Sequence, residues 1–101
     1  MDKKDAIKIF KAISDENRLQ ILELIGSNQV CACKILEHLN IGQPTLSHHM
    51  KILRDSGIVC GTKDGKWIYY KINKEKYMQA FNFVEQIINT NSQINIKCDK
   101  C

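Results

Sequence analysis

The sequence contains no long apolar segment. No stretch approaches the roughly 18 apolar residues of a membrane-spanning helix, and the polar start Asp2-Lys3-Lys4-Asp5 is not followed by the apolar run of a signal peptide. We therefore expect a cytoplasmic protein with no membrane partner. Thiols stay reduced in that compartment, so the five cysteines indicate metal or redox chemistry and not a disulfide framework.

Residue sets typical of enzymes are also missing. The sequence has no recognisable Ser-His-Asp set, no glycine loop that would cradle a phosphate and no paired-carboxylate pattern. Internal repeats and low-complexity tracts are absent as well. The sequence therefore predicts a protein that is not an enzyme.

The chain is long enough for one small domain. A core built from 101 residues is marginal alone, which favours association with a second subunit. The net charge of +4 permits a polyanionic partner without requiring one. We expect a folded domain over residues 1–90 and a polar, cysteine-containing tail over residues 91–101.

Apolar residues recur at helical spacing in five segments. The segments cover residues 3–13, a second segment between the caps Ser14-Asp15 and the closing Gly26-Ser27-Asn28, about Cys31 to Leu39, residues 43–56 and residues 74–90. In the fourth segment Leu46, Met50 and Leu53 form the inward stripe, and Gly57 stands where a C-cap glycine belongs. The last segment has a broad apolar surface, which indicates burial against both the domain and a second subunit.

Two β-prone runs follow the fourth helix, with Asp64-Gly65 between them. Asp-Gly is a strong hairpin signal. A two-residue loop at these positions would set Lys63 opposite Lys66 and Cys60 opposite Tyr69. Because facing like charges repel, we interpret the lysine pair as a binding site for an anion. The order of helices, helix-turn-helix, hairpin and helix predicts a mainly α winged helix-turn-helix fold with a β-hairpin wing.

Three separated motifs resemble the ArsR–SmtB family of metal-sensing repressors. They are Asp15-Glu16-Asn17-Arg18-Leu19-Gln20-Ile21-Leu22, Gln43-Pro44-Thr45-Leu46-Ser47-His48-His49-Met50-Lys51-Ile52-Leu53 and Gly65-Lys66-Trp67-Ile68-Tyr69-Tyr70. The resemblance extends to about Ile88. It implies a homodimer formed through the first and last helices, which binds double-stranded DNA at an inverted-repeat operator.

The polar face of the fourth helix is the expected DNA reader. A helix in the major groove presents the hydrogen-bonding side chains of its N-terminal half to base edges. We assign base or near-base contacts to Gln43, Thr45, Ser47 and His48. Phosphate contacts are assigned to Lys51, Arg54, Lys63 and Lys66, whereas His49 is expected to pack inward.

Cys31 and Cys33 lie where the arsenic- and cadmium-sensing branches of the family carry a Cys-x-Cys metal box. Side chains two residues apart on a helix point roughly 200° apart. We therefore expect an ion to bind both sulfurs only by distorting the first turn of that helix, which would misalign the DNA reader. The helix N-terminus favours the metal-binding thiolate, and sulfur ligands select thiophilic ions.

The sequence leaves several candidates for the remaining ligands. Leu36 occupies the position of a third cysteine in the arsenic type, and the N-terminus lacks the cysteine of the cadmium type. Cys98 and Cys101 form a Cys-x-x-Cys pair that could supply further thiolates, while Cys60 is interpreted as structural. The leading hypothesis is a sensor of As(III) or Sb(III) at Cys31, Cys33 and one tail cysteine. Cd(II), Pb(II) or Zn(II) bound at the cysteines, a thiol redox sensor and an interaction module without DNA binding are the alternatives.

Overall fold

The computed structural model describes residues 1–91 and residue 94. This part of the chain forms five helices and a small antiparallel sheet with strand order β1-β3-β2. The elements are α1 (Lys3–Ile13), α2 (Glu16–Ile25), β1 (Gln29–Cys31), α3 (Ala32–Glu37), α4 (Gln43–Asp55), β2 (Val59–Asp64), β3 (Trp67–Ile72) and α5 (Lys74–Asn89). The predicted winged helix-turn-helix is confirmed, with α3 and α4 as the helix pair and the hairpin of residues 59–72 as the wing.

Local side chains explain where the helices begin and end. Asp2 caps α1 by accepting the backbone N–H of Asp5 at 2.8 Å, and Asp15 caps α2 by accepting the backbone N–H of Arg18 at 3.1 Å. After α4, Gly57 has a φ of +88°, the left-handed conformation that the predicted C-cap position requires.

The core lies between the helices and the sheet. Leu46, Met50 and Leu53 of α4 are buried, which confirms the predicted inward stripe. Burying a side chain of this size stabilises the fold by about 1.5–3 kcal/mol. These three contacts therefore fix the rotation of α4 about its axis and turn its polar side outward.

A short strand before α3 was not predicted. The sequence predicts a helix from about Cys31, but Gln29–Cys31 pair with β3, so that Cys31 stands opposite Tyr69. Three residues are too few to show a period of two, and the pairing is a tertiary contact. Cys31 is therefore the extended N-cap residue of α3 and not part of its first turn.

The loop of the hairpin lies one residue later in the chain than predicted. Asp64 pairs with Trp67, so the two-residue loop is Gly65-Lys66 and Lys63 does not face Lys66. Gly65 has a φ of +62°, and a type II′ loop needs glycine at this first position. The prediction that Lys63 and Lys66 face and repel each other is therefore wrong.

Candidate DNA-contact surface and cysteine site

The outward side of α4 forms a continuous polar surface. Its inward stripe is held in the core, which leaves the side chains between the stripe positions in solvent. Every α4 residue predicted to contact DNA is exposed: Gln43, Thr45, Ser47, His48, Lys51 and Arg54. Hydrogen-bonding groups near the N-terminus and cations near the C-terminus suit base edges and phosphates respectively.

His49 lies on the inner side of α4 and is buried, which confirms its predicted packing role. Its Nδ1 atom is 3.1 Å from Nη1 of Arg18 and 3.9 Å from Oδ2 of Asp15. Since a guanidinium only donates, His49 accepts this hydrogen bond at Nδ1. Arg18 also donates through Nε to the carbonyl oxygen of Ala12, so it joins the end of α1 to the middle of α4.

Asp15, the N-cap residue of α2, lies beside both Arg18 and His49. The hydrogen bond from the backbone N–H of Arg18 holds the pKa of the Asp15 carboxyl below its ordinary value, and the nearby positive charge of Arg18 acts in the same direction. The inner side of α4 is therefore attached by polar contacts as well as by apolar packing.

Both wing lysines are exposed. Lys66 is the second loop residue, and its Nζ atom lies 5.3 Å from the ring centre of Trp67. Lys63 lies on β2 opposite Ile68. The two charges therefore occupy separate positions on the wing, each open to a phosphate.

Arg54 connects α4 with the wing. A Cβ atom added to Gly61 would come within 3.1 Å of Arg54 Nε and 3.2 Å of the Tyr70 ring, so the guanidinium lies directly over this glycine. Lys51 Nζ pairs with Asp55 Oδ2 at 3.3 Å. An exposed pair four residues apart contributes only about 0.3–0.5 kcal/mol, so it can be exchanged for a phosphate at little cost.

The two predicted metal-binding cysteines are already in contact. Cys31 Sγ and Cys33 Sγ lie 2.7 Å apart as free thiols. This corrects the expectation that the sulfurs diverge, because the extended N-cap backbone of Cys31 turns its side chain toward Cys33. An ion bound by both sulfurs would not have to unwind α3.

Hydrogen bonding makes the two thiols unequal. The side-chain hydrogen bond from Cys33 lowers the pKa of Cys31, and the backbone N–H groups of Cys33 and Lys34 with the Lys34 charge act in the same direction. The same side-chain contact raises the pKa of Cys33. Cys31 is therefore the thiol that forms the nucleophilic thiolate first.

A cavity of about 300 Å³ opens beside the two sulfurs. The opposite walls belong to the N-terminal half of α4 and to the wing. The lining includes Cys31, Cys33, Gln43, Ser47, Lys66 and Trp67. Sequence reasoning connected the cysteines with the DNA reader only through distortion of α3. It did not predict a cavity shared with Gln43, Ser47 and Lys66, and it assigned no role to Trp67. An exposed tryptophan next to the wing loop was the signal that could have directed attention there.

Among the other predicted thiols, the structure describes Cys60, which does not line this cavity. Cys60 is exposed on β2 opposite Lys71, and not opposite Tyr69 as predicted. Cys98 and Cys101 lie outside the described residues. Within residues 1–91 and residue 94, no group of three or more His, Cys, Asp or Glu side chains is arranged to hold a metal ion.

An exposed apolar face runs along α5. Ala80 is its only buried residue, and Ile88 is 85% exposed. The ring of Phe81 packs edge-on against Phe10 of α1 at 5.7 Å, so the two helices share this side of the molecule. The exposed apolar residues of α5 are Tyr77, Met78, Phe81, Val84, Ile87 and Ile88. A patch of this kind is typical of an interaction surface.

Comparisons with known proteins agree with this architecture. The family model for bacterial regulatory proteins of the arsR family matches residues 15–60. The chain is 41% identical to the arsenical resistance operon repressor of Staphylococcus xylosus, with all of both chains covered. It is 37% identical to a cadmium resistance transcriptional regulatory protein of Listeria innocua, with 78% of this chain and 71% of the relative covered.

A solved structure supports the fold independently. The homodimeric winged helix-turn-helix DNA-binding domain of a possible ArsR-family regulator from Mycobacterium bovis superimposes with a TM-score of 0.69 at 24% identity. The match covers 85% of this chain and 80% of that domain. No helix in the described part of this chain has the length and apolar character needed to cross a bilayer. With 41% identity over its whole length to an arsenical resistance repressor, this chain belongs to the arsR family of helix-turn-helix transcription regulators, which are not enzymes.

Proposed function

We propose that this protein is a repressor that binds operator DNA as a homodimer and leaves it when a thiophilic metalloid or metal binds at cysteine. As(III) or Sb(III) is the inducer that we favour. The observation that carries the proposal is the contact between the Cys31 and Cys33 sulfurs beside a cavity bordered by the DNA-contact surface. The full-length relative of Staphylococcus xylosus, an arsenical resistance operon repressor, supports the choice of inducer.

DNA binding is assigned to α4 and the wing. In this proposal α4 enters the major groove with Gln43, Thr45, Ser47 and His48 at or near base edges, and Lys51, Arg54, Lys63 and Lys66 hold phosphates. The exposed apolar face of α5, together with α1, joins two copies of the chain. A symmetric dimer presents two reading helices about 34 Å apart and therefore fits an inverted repeat.

Release follows from the shared cavity. A ligand held by Cys31 and Cys33 occupies the space between α3, Gln43 and Ser47 on α4, and Lys66 on the wing. It therefore acts directly on groups that would contact DNA. Distortion of the α3 backbone is not needed, because the sulfurs already converge.

For an inorganic metalloid, we propose that Cys98 or Cys101 supplies the third sulfur. Thiolates are the ligands that As(III), Sb(III) and the borderline divalent ions prefer. The alternative inducer class is Cd(II), Pb(II) or Zn(II), bound by Cys31, Cys33, Cys98 and Cys101 together. The cadmium resistance regulator of Listeria innocua supports this alternative.

The decisive experiment is the double substitution Cys31→Ser with Cys33→Ser. Operator binding, followed by fluorescence anisotropy, is expected to stay within about twofold of wild type, whereas arsenite, antimonite and cadmium no longer release the DNA. Cys60→Ser is the matched control, because it removes an exposed thiol outside the cavity and should leave release unchanged. Release that persists in the double variant would refute the proposed switch.

A thiol redox sensor is the second candidate, and the 2.7 Å contact between the Cys31 and Cys33 sulfurs favours it. A peroxide would oxidise one thiol to a sulfenic acid, which the neighbouring thiol could then attack to form a disulfide and water. Anaerobic, reduced protein bound to operator is titrated in parallel with arsenite and with hydrogen peroxide. Release by arsenite at stoichiometric amounts, with no release by peroxide, favours the metalloid sensor; the reverse result favours the redox sensor.

A further inference from the structure

Beyond the two sulfurs, the lining of the cysteine cavity is largely apolar. Leu36 of α3, Leu46 and Met50 of α4, and Ile68 and Trp67 of the wing contribute to it. Leu36 is half-buried and Leu46 and Met50 are buried, so this surface is part of the folded core. A bare oxyanion or a hydrated ion gains nothing from such a surface, whereas a hydrocarbon group does.

The number of thiols at the cavity is also informative. A trivalent arsenic atom forms three bonds, and the described residues that line the cavity offer two thiols, those of Cys31 and Cys33. Leu36 lies on α3 one turn after Cys33 and lines the same cavity, so an apolar side chain stands where a further sulfur ligand on this helix would be. A third bond from arsenic to carbon would match both the thiol count and the apolar wall.

We propose that this cavity takes a trivalent arsenical with one carbon substituent, and that Leu36 selects this class over inorganic arsenite. The inference rests on the proposed function and specifies its ligand. The arsenical R–As(OH)₂ reacts with the two thiols to form R–As(S-Cys31)(S-Cys33) and two molecules of water. Two As–O bonds are replaced by two As–S bonds, each thiol proton leaves in water, and no oxidation state changes. The As–C bond stays intact and directs R into the cavity.

The dimensions allow a substituent as large as a phenyl ring. A closed apolar cavity of about 150 Å³ is enough to hold benzene, and this cavity measures about 300 Å³. Trp67 forms part of its wall and is the only tryptophan of the chain. Its fluorescence therefore reports occupancy of the cavity without reference to DNA binding.

The test is a competition between the reduced full-length protein and dithiothreitol for arsenite, methylarsenous acid and phenylarsenous acid. Dithiothreitol also forms two As–S bonds. Dividing the affinity of the protein for an arsenical by that of dithiothreitol therefore cancels the intrinsic strength of those bonds. Trp67 fluorescence and intact-protein mass give the bound fraction. The protein-to-dithiothreitol ratio is expected to rise at least about tenfold from arsenite to phenylarsenous acid, with the methyl compound between them. A flat or falling series would overturn the inference.

Substitution of Leu36 tests its assigned role. Leu36→Cys adds a third sulfur and is expected to raise the ratio for arsenite while lowering that for phenylarsenous acid. Leu36→Phe fills the cavity and should lower only the phenyl ratio. If Leu36→Cys leaves the order of the ligands unchanged, Leu36 does not select them. Operator binding that matches the wild type verifies that each variant is folded. The comparison of the three arsenicals on the wild-type protein does not depend on these variants.

Substitution of the tail cysteines tests this inference separately from the proposed function on which it rests. With Cys98→Ser and Cys101→Ser together, phenylarsenous acid should still bind and release the operator, because its arsenic needs only two thiols. Arsenite should lose affinity if a tail sulfur is its third ligand. Loss of phenylarsenous acid binding in this variant would overturn the inference and leave the three-sulfur sensor standing. Failure of all three arsenicals to bind wild-type protein would refute arsenic as the inducer in the proposed function itself.

Discussion

Helices α4 and α5 are both amphipathic, but they expose opposite kinds of surface. α4 buries Leu46, His49, Met50 and Leu53 and exposes polar and cationic side chains. α5 buries only Ala80 and exposes a stripe of apolar side chains. A folded monomer gains nothing from the exposed stripe of α5, whereas a second copy of the chain would bury it. If the proposed function is correct, DNA contact and dimer formation lie on separate helices and can be disrupted separately.

The largest effect is expected from charges on the α5 face. Val84→Asp with Ile88→Asp should produce a monomer, because four carboxylates would be buried in each dimer interface. The loss of two-site binding should reduce operator affinity by about 100-fold. Sedimentation velocity gives the oligomeric state, and fluorescence anisotropy gives the affinity.

Gln79→Asp is the control for that substitution. Gln79 is an exposed α5 residue on a different side of the helix from Ile88, so the added charge should leave a dimer with near-normal affinity. A dimeric Val84→Asp, Ile88→Asp protein would show that another surface joins the subunits.

Adjacent histidines allow the inner and outer sides of α4 to be compared. His49→Ala leaves Nη1 of Arg18 without its His49 acceptor and should lower the free energy of unfolding by about 1–3 kcal/mol. His48→Ala removes an exposed side chain and should leave stability within about 0.5 kcal/mol while weakening operator binding. Urea unfolding and anisotropy distinguish the two variants. Equal stability losses would contradict the assigned orientation of α4.

The charges of the wing should matter less than the dimer interface. Lys63→Ala with Lys66→Ala is expected to weaken binding about tenfold for any sequence and to reduce the slope of log K against log salt by about 2 per subunit. Anisotropy titrations between low and physiological salt measure that slope. Lys8→Ala with Lys11→Ala, on the exposed side of α1, is the matched control for net charge. A slope that equals the wild-type value would mean that the wing does not contact phosphates.

The smallest effect concerns the cap that joins α2 to α4. Because the Asp15 pKa is lowered from its ordinary value near 3.8, the charged carboxyl stabilises the fold above that value and the contribution is lost as pH falls through the folded-state pKa. Asp15→Asn keeps a good N-cap without the charge. Its stability should therefore fall less steeply below about pH 4 than that of wild type. Urea unfolding from about pH 2 to pH 6 tests this, and parallel curves would contradict the assignment.

Features that depend on local periodicity were predictable from the sequence. The α4 stripe, the Gly57 cap and the inward direction of His49 all follow from spacing or turn chemistry within a few residues. The position of β1 was not predictable, because three residues pair with β3 only in the folded chain. The hairpin register also could not be derived from Asp64-Gly65 alone. Gly65 can be the second residue of an Asp64-Gly65 loop or the first residue of a Gly65-Lys66 loop.

The cysteine site shows how such a local error propagates. With Cys31 assigned to a helix, its sulfur pointed away from Cys33; with Cys31 in the N-cap position, the two sulfurs meet. The roles of Trp67 and Leu36 at the cavity arise only when α3, α4 and the wing are brought together. Sequence spacing identified Cys31 and Cys33 as candidate ligands but could not predict the cavity beside them.

The sulfur of Cys31 has two roles that compete. It accepts the backbone N–H of Cys33 at 3.4 Å and so caps α3, although sulfur is a weak acceptor and serine is among the best N-cap residues. A serine at this position is expected to make the empty protein more heat-resistant and, under the proposed function, insensitive to arsenic. In that proposal the chain gives up some thermal stability in its ligand-free form in exchange for a reactive thiol, and selection for a higher melting temperature alone would be expected to remove this cysteine.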